Sequence, residues 1–79
     1  MNRLDMDMIS DWMAGAIFPG IRFSLNETAR ISNGPHAGEL VAIISIAAFE
    51  PELQYLVELS DGNDTVVKQA DLRKYENTQ

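Results

Sequence analysis

A small, strongly bent antiparallel sheet or barrel carrying one N-terminal helix is the fold that the sequence predicts, on three observations. Apolar residues recur with helical spacing only over residues 3–17, and past Gly20 the spacing falls to two. Turn chemistry at Asn33-Gly34-Pro35, Glu50-Pro51-Glu52 and Asp61-Gly62 then cuts the remainder into about five short segments. With 79 residues there is room for one domain, 1–79, and the 46% of hydrophobic residues must be gathered into a single core.

The helix rests on Leu4, Met8, Trp12 and Ala16, four residues apart, with Ile9, Met13 and Ile17 beside them. Asn2 suits the N-cap with Asp5 three residues on, and Asp5 and Asp7 suit the positive end of the helix dipole. Gly15 and then Phe18-Pro19-Gly20 end it. The apolar face is expected to pack on the chain's own sheet. If that stripe exceeds what the sheet covers, a homodimer through these helices would hide the surplus.

Past Gly20, Ile21, Phe23 and Leu25 alternate with Arg22, Ser24 and Asn26, and Ala29 and Ile31 alternate with Arg30 and Ser32, so both segments are predicted strands. Asn33-Gly34-Pro35 reverses the chain. Gly38 to Phe49 is rich in β-branched residues and should be the central, most buried strand. Glu50-Pro51-Glu52 breaks it, and Leu53, Tyr55, Val57 and Leu59 alternate through the next strand. Asp61-Gly62 makes a tight hairpin into Thr65 to Lys68. Gln69 to Leu72 resembles a single helical turn, and the polar stretch from Glu76 to Gln79 is expected to fray.

Charge selects among partners. Twelve acidic against six basic side chains give a formal net charge of -6, which opposes binding to nucleic acid or anionic lipid and favours a basic protein. Seven of the twelve acids lie in residues 50–79, against three basic groups. No apolar run reaches the ~20 residues of a bilayer span. Met1 to Asp7 lacks the basic, then apolar, pattern of a secretory signal, so a cytoplasmic protein without membrane attachment is expected. The sequons at Asn26 and Asn63 are then chance matches.

No pattern in the sequence amounts to a catalytic or cofactor signature, and no enzyme, cofactor or metal is expected. Without cysteine there is neither a disulfide framework nor a thiolate nucleophile. His36, the only histidine, would have to build a triad with Ser32 or Ser45 and a distant carboxylate. Asp61-Gly62-Asn63-Asp64 fails as a calcium loop, since Leu72 stands where the bidentate glutamate belongs. Trp12, Tyr55 and Tyr75 are the aromatic residues with a polar end that could meet an ammonium group at the surface.

Residues 29–39, Ala-Arg-Ile-Ser-Asn-Gly-Pro-His-Ala-Gly-Glu, resemble the KOW motif of ribosomal and transcription-elongation proteins, a strand, a Gly-Pro loop and a second strand. Downstream, residues 55–62, Val66-Val67 and Ala70 to Arg73 resemble the closing hairpin and short turn of Src-homology-three-like barrels. The resemblance, over residues 21–75, implies a five-stranded Src-homology-three-like antiparallel barrel with the helix packed on it. It also implies an alternative function, an RNA- or ribosome-associated accessory protein using Arg22, Arg30, Pro35 and His36. The leading expectation is a non-enzymatic module with an acidic surface for a basic partner, such as an immunity protein against a basic toxin. Glu50, Glu52, Asp61 and Asp64 at the loop ends would carry it, with Tyr55 as the anchor.

Overall fold

The computed structural model describes residues 3–75. The N-cap reading of Asn2 and the fraying of Glu76 to Gln79 lie outside the described residues, as do the side chains of Leu4 and Asp5. Helix α1 (Arg3–Met13) precedes five strands, β1 (Thr28–Ile31), β2 (Leu40–Ala48), β3 (Gln54–Glu58), β4 (Asp64–Lys68) and β5 (Leu72–Lys74). A 3-10 turn, Gln69–Asp71, separates β4 from β5. The strands form one antiparallel sheet in the order β4-β3-β2-β1-β5, with β2 in the middle as its β-branched run predicts. This arrangement is compatible with a Src-homology-three-like fold.

The helix ends four residues earlier than its apolar spacing suggests. Gly15 takes φ +103°, Ala16 N–H donates to the Asp11 carbonyl at 3.0 Å, and Gly15 N–H donates to the Trp12 carbonyl at 3.0 Å. These two bonds are the Schellman closure, in which a left-handed glycine turns the chain back over the last carbonyls. The stripe therefore splits. Trp12 is buried and Met8 and Ile9 are half-buried, whereas Met6, Met13 and Ile17 stay exposed.

Ile21 to Leu25 alternates but joins no ladder, which corrects the strand expected there. Its backbone is instead held by side chains. The Trp12 indole N–H donates to the Phe23 carbonyl at 2.7 Å, and Lys74 Nζ donates to the Arg22 carbonyl. Gln69 donates from Nε2 to the Gly20 carbonyl at 2.9 Å, while its Oε1 accepts the Arg22 N–H at 2.9 Å and the Tyr55 hydroxyl. The fifth strand comes from the other end of the chain, Leu72 to Lys74 pairing with Ile31 to Ala29.

Ladder hydrogen bonds do not close the sheet into a cylinder, since β4 and β5 are its two edges. The chain crosses the seam through the 3-10 turn. Gln69 N–H still bonds the Leu53 carbonyl of the β3 side, and two residues later the Asp71 carbonyl accepts the Ser32 N–H of the β1 side. Register shifts between Ile43 and Ser45 and between Ile46 and Ala48 bend β2, as bulges do. The inward faces of the sheet bury Ala29, Ile31, Val41, Ile43, Ile46, Tyr55, Val57 and Leu72 around Trp12 and Phe23. The Phe23 and Tyr55 rings meet edge to face at 5.6 Å, and Lys74 Nζ lies 4.7 Å from the Phe23 ring centroid.

Replacing Trp12 with Phe keeps an aromatic ring but strands the Phe23 carbonyl in the core, a loss of about 1–3 kcal/mol. Denaturant unfolding should show that loss. Hydrogen exchange should show the residues following Gly20 opening more often.

Candidate functional site

The register of the strands decides which charged residues meet. The β2–β3 turn, with Glu50 and Glu52, and the β3–β4 turn, with Asp61, lie at opposite ends of β3. Five residues of strand put roughly 17 Å between those ends, so the four acids expected to act together form two separate groups. Glu52 is also engaged, its carboxylate 3.2 Å from Lys68 Nζ. Glu50 is exposed.

Tyr55 does not serve as a surface anchor. It is 0% exposed, packed against Trp12 and Phe23, with its hydroxyl bonded to Gln69. Its polar end reads in sequence as a sign of exposure, yet the partner that satisfies it lies fourteen residues away across the β3–β4 pair. Trp12 is likewise buried, so of the three aromatic candidates for an ammonium contact only Tyr75 is exposed.

Asp61 shapes the hairpin. Its carboxylate accepts the Asn63 amide N–H at 3.0 Å and the Asn63 side-chain amide at 3.2 Å, an Asx turn that brings Gly62 to φ +89°. The Asn63 N–H above all, with the Asn63 side-chain amide beside it, holds the Asp61 carboxyl below its ordinary 3.8. Among the described residues no cluster of three or more His, Asp or Glu is placed to hold a metal ion.

One pairing that single-sequence reasoning passes over is Glu58 with Asp64. They are direct cross-strand partners on the outer face of β3 and β4, both exposed. The Leu59 N–H to Asn63 carbonyl bond, at 2.7 Å, fixes the alternation of the ladder and makes Glu58–Asp64 a non-hydrogen-bonded pair, the closer kind. Like charges so placed destabilise a sheet. No basic side chain among the described residues forms an ion pair with either.

Beside this pair is a depression of about 410 Å³ on the outer face, bordered by Thr28, Leu40, Ala42, Glu58, Ser60 and Gly62. Leu40 is 38% exposed there, an apolar surface that shares the depression with the Glu58 carboxylate. Signals for Leu40 and Glu58 exist in the sequence only as the outward phase of two alternating strands. Their juxtaposition needs the register.

Among the described residues the basic side chains are occupied by their own chain. Arg30 donates to the Gly38 carbonyl at 2.9 Å, Arg73 to the Ala70 and Leu72 carbonyls, and Lys74 lies 2.9 Å from Glu27. The Arg22 guanidinium lies 5.7 Å from the Phe23 ring centroid. In the β1–β2 turn Pro35 is exposed, and His36 Nδ1 lies 2.9 Å from Glu39 Oε2, a carboxylate beside the very loop that would have to approach RNA phosphates. Compared with protein-family models, with curated proteins and with solved structures, the chain has no significant match in any of the three.

Burial pushes the Tyr55 phenol above its ordinary 10.0. The folded state thus holds this proton more firmly than the unfolded chain, and the associated stability is present below pH 10 and lost as pH rises through the folded value. An ultraviolet titration should show Tyr55 still neutral somewhat above pH 10. In Tyr55→Phe the alkaline decline in melting temperature should flatten.

Proposed function

We propose that the chain is a non-enzymatic binding module that presents the outer face of its β3–β4 hairpin to a cationic protein. The observation that carries this reading is the Glu58–Asp64 pair, two carboxylates held opposite one another with no ion-pair partner among the described residues. A lysine or arginine from outside would relieve their repulsion. The apolar wall at Leu40 and Ala42 suits the aliphatic stem of such a side chain. A net charge of -6 would steer the encounter, while the depression would supply close contact.

In this reading Leu40 takes the anchoring role that the sequence suggested for Tyr55, and Glu58 joins Asp61 and Asp64 at one end of the sheet. Glu50 and Glu52, at the other end, contribute only to the overall field. Inhibition of a basic toxin by a small acidic immunity protein is the specific form of this function that size and charge favour. The strand order and the 3-10 turn before β5 support the Src-homology-three-like reading of the fold. Less supports the KOW-like RNA reading, because Arg30 is spent on Gly38 and Glu39 stands beside His36.

The test is association with an immobilised Lys- and Arg-rich peptide between ~0.01 M and ~0.15 M salt, where the screening length shortens from roughly 30 to roughly 8 Å. The rate should fall steeply over that range. Glu58→Gln and Asp64→Asn should each slow association further, yet raise folding stability by a few tenths of a kcal/mol as the cross-strand repulsion is removed. Salt-independent association would sink the reading, as would a loss of stability in both variants. RNA affinity that falls in Arg30→Ala would favour the alternative.

A further inference from the structure

β4 is an edge of the sheet, and its backbone alternation is fixed by two bonds to β3: Gln69 N–H to the Leu53 carbonyl and Leu59 N–H to the Asn63 carbonyl. In the register between them, Thr65 and Val67 face Val57 and Tyr55 as hydrogen-bonded pairs. The intervening residues, Asp64, Val66 and Lys68, therefore turn their backbone N–H and C=O groups to the open edge. Their side chains are exposed as well, Val66 by 49%.

Along that edge the order is acid, apolar, base at alternate positions. Reversed, it is its own complement. We infer that β4 pairs with β4 of a second copy of this chain, antiparallel about a twofold axis at Val66, so that Asp64 of each copy faces Lys68 of the other. All three pairs would be of the hydrogen-bonded type, since all three residues offer both backbone groups outward. The interface is isologous, as a closed dimer requires. A groove of about 220 Å³ borders the edge, walled on its far side by Asn33, Pro35 and His36. It accommodates the short Thr65 and Val67 side chains that the incoming strand turns to that side, while the strand itself lies along the outer lip.

Five residues of edge bury less than the ~1,600 Å² typical of a stable interface, so the dimer is weak and concentration-dependent. The net charge of -6 on each copy weakens it further at low salt. Asp64 belongs both to this edge and to the surface offered to a cationic partner, and the two associations exclude one another. Lys68 takes no part in that cationic-partner surface; its exposed ammonium, now 3.2 Å from Glu52 of its own chain, would be shared with Asp64 of the second copy, so failure of one reading is distinguishable from failure of the other.

Sedimentation velocity over a rising concentration of the full chain should show a monomer–dimer equilibrium. Asp64→Lys places two lysines opposite two lysines, and Lys68→Asp places acids opposite acids. Each should weaken self-association roughly tenfold or more. Mixing the two variants should recover a dimer containing one of each, and the double variant carrying both substitutions should pair with itself again. Both positions are exposed, and circular dichroism of each variant should show that it still folds. A wild-type chain that stays monomeric at millimolar concentration overturns the inference. So does dimerisation that persists in both single variants, which would place the contact elsewhere, such as on Met6 and Met13. Folded variants that do not combine on mixing also overturn it.

Discussion

The fold depends on a set of side-chain hydrogen bonds to the backbone between Gly20 and Phe23. A chain crossing the wall of a small sheet must satisfy its amides and carbonyls, and a strand normally does so by pairing. Here Trp12 from α1, Gln69 from the 3-10 turn and Lys74 from β5 take that task. Three elements that share few ladder bonds are thereby fastened to one segment. The helix, the seam and the last strand each lose a partner if that segment moves.

The polar and aromatic networks are one structure. Gln69 Oε1 accepts from both Arg22 N–H and the Tyr55 hydroxyl, so the amide that closes the seam also satisfies the deepest phenol of the core. Phe23 fills the space between the Tyr55 ring and the Lys74 ammonium. Such a network favours a single arrangement because one amide satisfies several partners at once and each bond fixes the others. It also accounts for the burial of tyrosine and tryptophan, whose polar ends would otherwise oppose it.

Much of the architecture was legible in the sequence. The β-branched run of β2, the Asp61-Gly62 turn and the short turn at Gln69 depend on local preference, and local preference prevailed. Ile21 to Leu25 was misread because alternation reports only that one side faces a core, and cannot distinguish a ladder from a segment held by side chains. Gly15 was legible as a helix terminator, and its left-handed geometry makes it the stop ahead of Phe18-Pro19-Gly20, so the apolar spacing out to Ile17 overran the helix. At the candidate site Asp61 and Asp64 were visible as loop acids. Leu40 was not, because its relation to Glu58 exists only through the register of β2 against β3.

The pairing of Ala29 with Lys74 has a kinetic corollary. β2, β3 and β4 succeed one another through short turns, and their contacts can form with little loss of chain entropy. β1 and β5 meet only after most of the polypeptide has been drawn into a loop, and contacts of that kind slow folding. The meander would then be the early partner in assembly and the outermost strand a late arrival, so an incompletely folded chain would expose the β1 edge as well as the β4 edge, an open template at each side of the sheet.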